Sequence, residues 1–191
     1  IIIFILTVLF MVDLHAMQQN DISDSKKLSR ALEYFGSGKF NEALPLLSNL
    51  NARYRLNPRY KAYLGICYYH EWKYEEACAI IDSVLTDIEV FAPHERSVYY
   101  HASAESHFSL GEYERAIPLY EKMINVCYDI EKGDALYRLG FCYMFAGRND
   151  IAVEYFNSAL SYYKQYINQE RRARIVQIEK MVKGLNKKLE N

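Results

Sequence analysis

The sequence predicts an all-α fold, a solenoid of four stacked helical hairpins closed by a C-terminal capping helix, and three observations predict it. The first is a pattern present four times: a turn, a position two places on that is aromatic in three copies, and an alanine three further. The copies are Gly38-Lys39-Phe40-Asn41-Glu42-Ala43, Trp72-Lys73-Tyr74-Glu75-Glu76-Ala77, Gly111-Glu112-Tyr113-Glu114-Arg115-Ala116 and Gly147-Arg148-Asn149-Asp150-Ile151-Ala152, with the alanines 34, 39 and 36 residues apart. Units of this period cannot bury an apolar face alone, so they stack. The second is punctuation, since the chain has only 4 prolines and 8 glycines and several fall between the helical stretches. The third is a stripe of Ile175, Ile178, Val182, Leu185 and Leu189 at spacings of three and four near the C-terminus.

Composition bounds the function. With 191 residues, 51% hydrophobic and 25% charged, the chain has material for one continuous core and is not of disordered type. A net charge of −1 argues against a general binder of nucleic acid or anionic membranes. The 18 tyrosines concentrate at positions where stacked hairpins need a large amphipathic side chain.

In chain order, Ile1 to Val12 is an apolar run of 12 residues, too short for a spanning helix of about 20 and suited to a secretory h-region of roughly 7 to 15. Residues 1–16 are therefore expected to be a signal peptide cleaved after Ala16, or alternatively an N-terminal anchor, with the natural start a few residues upstream. Cleavage implies export to the bacterial periplasm or the extracellular space with no stable membrane insertion afterwards; the alternative is a protein held at the membrane by its N-terminal segment. Residues 17–24 form a short polar linker.

Helices are expected over 25–37, 40–51, 58–70, 74–87, 93–109, 113–126, 131–146, 149–164 and 168–189. They pair into hairpins covering about 25–57, 58–92, 93–130 and 131–164, followed by a basic amphipathic segment over 165–191. The first pair carries Leu28, Ala31, Leu32 and Phe35, then Phe40 and Ala43, with Pro45 early enough in its helix to be tolerated. The second carries Leu64-Gly65, Tyr68, Tyr74, Ala77 and Ile81. The third has extra residues around 87–94 and a longer first helix with Pro93 near its start; Ala104 takes the small position, Ser103 and His107 replace leucine and tyrosine, and Pro118 mirrors Pro45. The fourth carries Leu139-Gly140, Tyr143, Ala152, Phe156 and Ala159. The last helix sets its apolar stripe against Arg171, Arg172, Arg174, Lys180, Lys183, Lys187 and Lys188, as a helix closing the open end of a stack would.

These residues resemble the tetratricopeptide repeat, whose pattern runs through Leu-Gly, Tyr, Ala and Phe in this order; the match is strong in the second and fourth copies and weaker in the first and third. The resemblance implies a right-handed superhelix that binds protein. Gly65 and Gly140 are expected to let the two helices of a hairpin approach at Ala77 and Ala152. Four cysteines, Cys67, Cys78, Cys127 and Cys142, match no zinc spacing; Cys67 and Cys78 are either bridged or small buried hydrophobes.

By the same resemblance, first helices line a concave groove. Carried over by position, that groove holds Leu28, Leu32, Phe35, Ala62, Ile66, Tyr69, His70, His101, Glu105, Phe108, Tyr137, Phe141, Met144 and Phe145, an aromatic and apolar surface. The positions where some family members grip a terminal carboxylate hold Leu28, Leu32, Tyr63, Ala102 and Arg138, of which only Arg138 is basic, so that clamp is absent. The implied ligand is a protein or peptide segment with apolar or aromatic anchors, and nucleic acid is not expected.

Two other readings stand beside this one. The solenoid is a structural or self-associating component of a cell-envelope assembly, or His70, His101 and Glu105 converge on a metal ion. No Gly-rich phosphate loop, nucleophile elbow or ordered triad is present, so neither catalysis nor a cofactor is expected.

Overall fold

A computed structural model describes residues 23–190; the apolar run and the first part of the polar linker lie outside them. Among the described residues there are nine α-helices and no strand. They are α1 (23–36), α2 (Phe40–Arg53), α3 (Pro58–His70), α4 (Tyr74–Asp82), α5 (Pro93–Ser109), α6 (Tyr113–Ile124), α7 (Asp129–Phe145), α8 (Asn149–Gln165) and α9 (Gln169–Leu189). Each packs against its neighbours in sequence, and α3 also against α5, which is the arrangement of stacked hairpins.

The hairpins share one turn. In each, the second residue after the end of the first helix turns left-handed, with φ of 71° at Gly38, 76° at Gly111, 77° at Gly147 and 62° at Trp72. The following N–H reaches back to a first-helix carbonyl: Lys39 to Tyr34, Lys73 to Tyr68, Glu112 to His107 and Arg148 to Tyr143, each at 2.9 Å. Glycine suits this backbone at three of the four positions, whereas Trp72 accepts a conformation that costs an L-residue about 1–2 kcal/mol.

Close packing within the second and fourth hairpins depends on the glycine of the first helix: at Gly65 an added Cβ would stand 3.5 Å from the Ala77 carbonyl, as expected, but the tightest contacts at both glycines are with other side chains. A Cβ at Gly65 would stand 2.3 Å from Ile81 Cγ1, and one at Gly140 would stand 2.5 Å from Phe156 Cδ1. The side chains that exclude a larger residue are Ile81 and Phe156, one turn beyond Ala77 and Ala152. Ile81, Phe156, Leu47 and Tyr120 are fully buried at this level of the stack, each contributing roughly 1.5–3 kcal/mol of burial. Pro45 and Pro118 face solvent, and α2 and α6 run past them.

Several helix ends differ from the expected ones. The helix expected over 74–87 stops at Asp82: Ser83 Oγ donates to the Ile80 carbonyl at 2.7 Å, and Val84 N–H bonds Ile81 three residues back. A short 3₁₀ turn over Asp87–Val90 follows, and the tightened chain swings Val84 and Ile88 into the core under α5. Helix α7 begins at Asp129 rather than 131, where Glu131 accepts the Tyr128 N–H at 2.9 Å. Helix α6 ends at Ile124, two residues early, as the Val126 and Cys127 N–H groups both turn back to Met123 O. Asn57 and Asn168 cap α3 and α9 through their side chains.

The core changes character in the third hairpin. His107, standing where tyrosine stands in the others, is 1% exposed and bridges two carboxylates, Glu112 from Nδ1 at 2.6 Å and Asp82 from Nε2 at 3.0 Å. Burial alone would lower its pKa, but the bonds to Asp82, Cys78 and Glu112 outweigh it and raise it to about 10, so the ring is an imidazolium. Asp82 also accepts from Ser103 at 2.7 Å and from Arg115 at 3.1 Å. All four cysteines are free thiols: Cys67 packs in the cluster of Ala31, Ala43, Leu47 and Leu64, while Cys78 lies against His107, so the two do not bridge.

Candidate functional site

Side chains on the first helices α3, α5 and α7, with one from α6 and one from α9, surround a cavity of about 370 Å³ lined by Tyr69, His101, Glu105, Tyr120, Asp134, Ala135, Tyr137, Arg138 and Arg174. Its floor is polar. Glu105, 8% exposed, accepts Arg138 Nε and Nη2 at 2.7 Å each and the Tyr120 hydroxyl at 2.6 Å. The Arg138 guanidinium lies 4.8 Å over the Phe108 ring. Across the cavity Arg174 donates to Asp134 Oδ1 at 2.6 Å and to the Tyr163 hydroxyl at 3.2 Å, and lies 5.3 Å over Tyr137.

Both arginines are thus held by a carboxylate and a ring, which fixes their donors in place. Burial, reinforced by the nearby Arg138 charge, lowers the His101 pKa, and burial and His101 lower that of His70, so both rings are neutral at pH 7. Burial and the Glu105 charge push the Tyr69 hydroxyl up to about 12, leaving it a neutral donor.

The turnward end of this face is aromatic. Phe108 meets Tyr113 at 5.5 Å and Phe145 at 6.2 Å, Tyr113 meets Phe145 at 5.0 Å, and Phe141 stacks with Phe145 at 5.7 Å. A second aromatic run crosses the earlier hairpins: Phe35 stacks on Tyr63 at 4.2 Å, Phe40 on His70 at 3.9 Å, and Tyr69 stands edge-on to His101 at 6.0 Å.

The residues expected to line an open apolar groove divide three ways. Tyr69, His101, Glu105 and Tyr137 reach the cavity, while Phe108, Phe141, Met144 and Phe145 flank it on the turn side. Phe35 and His70 belong to the aromatic run over the first two hairpins. Ile66, Ala62 and most of Tyr137 are packed inside, at 3%, 0% and 9% exposed, because neighbouring first helices lie close enough to cover them. Leu28 and Leu32 are half-buried.

The convergence of His70, His101 and Glu105 on a metal ion is not what the chain builds. Both Glu105 oxygens are engaged by Arg138 and Tyr120, and the Tyr69 ring stands beside both imidazoles, 5.1 Å from His70 and 6.0 Å from His101. Among the described residues no group of three His, Cys, Asp or Glu side chains is placed to hold a metal.

Tyr120, Asp134, Ala135 and Arg174 were not anticipated as site residues. A signal existed for the Glu105 pair: Arg59–Glu95, His94–Glu131 and Glu105–Arg138 lie 36, 37 and 33 residues apart, one repeat each, and hydrogen-bonding side chains at that separation meet on adjacent first helices. No such register locates Arg174, which lies outside the repeats.

Comparison with known proteins follows the same geometry. Three tetratricopeptide-repeat family models match, over residues 28–88, 97–129 and 134–169. Among solved structures, MamA AMB-1 is similar with a TM-score of 0.64 at 18% identity, covering 87% of this chain and 93% of that one. MamA MSR-1 is similar with a TM-score of 0.61 at 16% identity, covering 87% and 98%. A Podosopora anserina putative kinesin light chain with nearly identical TPR-like repeats is similar with a TM-score of 0.59 at 17% identity, covering 87% and 91%. At such identities the likeness speaks to the fold alone. No curated protein matches the chain in sequence.

Proposed function

The chain belongs to the tetratricopeptide repeat family, and from that premise we propose that it is a non-catalytic scaffold which receives a segment of a partner protein on the face formed by α3, α5 and α7. That tetratricopeptide repeats serve protein–protein interaction supports the coarse function; the location of the contact is our reading.

One observation carries it. A 370 Å³ cavity with fixed arginines and a neutral histidine opens beside an aromatic rim on which Phe145 is 51% exposed. Such a site suits a segment that seats an aromatic or aliphatic anchor against Phe108, Tyr113 and Phe145 and sends a polar group toward Arg138, Tyr69 and His101. The partner chemistry is therefore amphipathic, more polar than an apolar groove alone would imply.

The test is a photo-crosslinking residue at Phe145 and, separately, at Tyr69, with the exposed Lys122 as control, introduced in the native host. The same protein captured from both positions and not from Lys122, with capture reduced by Arg138→Ala, supports the site. Equal capture from Lys122, or none from Phe145 and Tyr69, overturns it.

Self-association is the second reading, as part of an envelope assembly, and the exposed Ile167, Val176 and Leu189 on and beside α9 favour it. A molecular mass that stays monomeric across concentrations removes it. Export rests on the run Ile1 to Val12, and the mature N-terminus found by sequencing the secreted protein tests it.

A further inference from the structure

Trp72 is the chain's single tryptophan and stands 79% exposed at the tip of the second hairpin. It occupies the left-handed position that the other three hairpins give to glycine, with φ of 62° against 71–77°. The same turn hydrogen bonds form in all four hairpins, so the fold gains nothing at this position from an indole. Nor does the ring repay its strain by packing, for among the described residues it meets no aromatic ring or cation. A large, strained, exposed apolar side chain stands here without a structural use.

Its surroundings state what it would accept. Glu71, Glu75 and Glu76 lie within four residues of it, all exposed, and among the described residues none of their carboxylates is in a salt bridge. Glu75 and Glu76 fall in the first turn of α4, where the helix dipole welcomes an anion. Glu71 caps the C-terminus of α3, where the same dipole disfavours one, so helix stability does not account for it. Lys73 is the only Lys or Arg among residues 70–76, which leaves the tip anionic.

We propose that the Trp72 tip is a second docking point, distinct from the cavity, which takes a lysine or arginine side chain of a basic segment of a partner protein onto the indole face, with Glu71, Glu75 and Glu76 supplying the complementary charge. An exposed aromatic face on an anionic turn binds a cation through the ring quadrupole and through long-range attraction together. The two contacts could act in tandem, one reading shape and the other charge, and the second does not depend on the first.

Because there is one tryptophan, its emission reports this site alone. The probe is an acetylated peptide of alternating alanine and arginine, with an alanine–glutamate peptide as counterpart, titrated into the intact protein while Trp72 emission and the anisotropy of a labelled copy of the peptide are followed. Expected are a saturable emission change with the arginine peptide only, weakening with salt, and an anisotropy-measured affinity reduced about tenfold or more by Trp72→Gly and by combined Glu71→Gln, Glu75→Gln and Glu76→Gln. Trp72→Gly relieves the backbone, so its Tm should hold or rise by up to about 4 °C, which separates loss of binding from loss of fold. Phe141→Ala should leave the response intact, keeping this outcome apart from the cavity's. Equal response to the glutamate peptide, no response to either peptide, or arginine-peptide affinity untouched by Trp72→Gly overturns the proposal. So does an emission change produced instead by phosphatidylcholine–phosphatidylserine vesicles, or by raising the protein's own concentration.

Discussion

His107 Nε2 lies 3.0 Å from Asp82 Oδ2, joining the third hairpin's first helix to the end of the second hairpin across 25 residues of sequence. With Glu112 on the other ring nitrogen, the imidazolium is a buried ionic tie between hairpins, at a position where Tyr34, Tyr68 and Tyr143 serve the other three. A tyrosine there would fill space, whereas the charged histidine makes the interface depend on protonation.

The folded pKa of about 10 exceeds the unfolded value near 6.5, so the folded state holds the proton more tightly. The stabilisation is complete below about pH 6.5 and is lost as pH rises through 10, with a slope approaching about 1.4 kcal/mol per pH unit between. His70 and His101 act in the opposite sense: their folded values are lowered, the unfolded chain binds more protons, and stability falls as pH drops below about 6.5. Urea unfolding from pH 5 to 10 should therefore give a dome, and His107→Tyr should flatten its alkaline side. An unchanged alkaline slope in His107→Tyr would show that His107 is not the titrating group.

Gly140→Ala should destabilise more than its helix-propensity gain of about 1 kcal/mol can offset, for a net loss of about 1–2 kcal/mol. The added methyl would meet three carbons of the fully buried Phe156 ring within 2.9 Å, and a ring in a filled core has little room to turn. Gly65→Ala meets Ile81 Cγ1 and Cδ1, which can change rotamer, so a smaller loss is expected. Gly184, with nothing within 4 Å of its added Cβ, is the control and should gain stability as alanine. Chemical denaturation of the three variants checks the order.

Phe145→Ala should weaken partner binding by about 1–3 kcal/mol with little effect on folding, because the ring is 51% exposed. Tyr137→Ala should do the reverse in emphasis, costing about 3 kcal/mol of stability, because the ring is 9% exposed and packed on Phe141, Phe156 and Tyr163. Measuring Tm and affinity together on both variants separates them. Equal stability losses would mean that Phe145 belongs to the core.

Much of the fold was legible because its causes are local. The alanine period, the Leu-Gly pairs and the C-terminal stripe each report which face of a helix is buried, and those faces are buried here, Ile175, Ile178 and Leu185 fully and Val182 in part; Leu189, the last residue of the stripe, is 51% exposed because the stack ends before it. The end of α4 was not legible: Val84 and Ile88 fit a continued helix as well as the 3₁₀ turn that seats them under α5, and hydrophobic spacing cannot separate the two. The groove was legible only as a list of positions. Glu105 stood on it correctly, yet its partners Arg138 and Tyr120 lie 33 and 15 residues away, and they turn an expected surface acid into a buried, satisfied one.

By itself the sequence determined the number of hairpins, their turns and the small residues at which each pair of helices meets, since these follow from periodicity and backbone preference within a few dozen residues. Tertiary structure decided which groove side chains are open, bringing Arg174 from the capping helix to Asp134 and Tyr137 and closing Ile66 and Ala62 from solvent. The physical reason is that exposure on a concave face is set by the distance and rotation between successive hairpins. That geometry is the sum of many inter-hairpin contacts, and no single stretch of sequence encodes it.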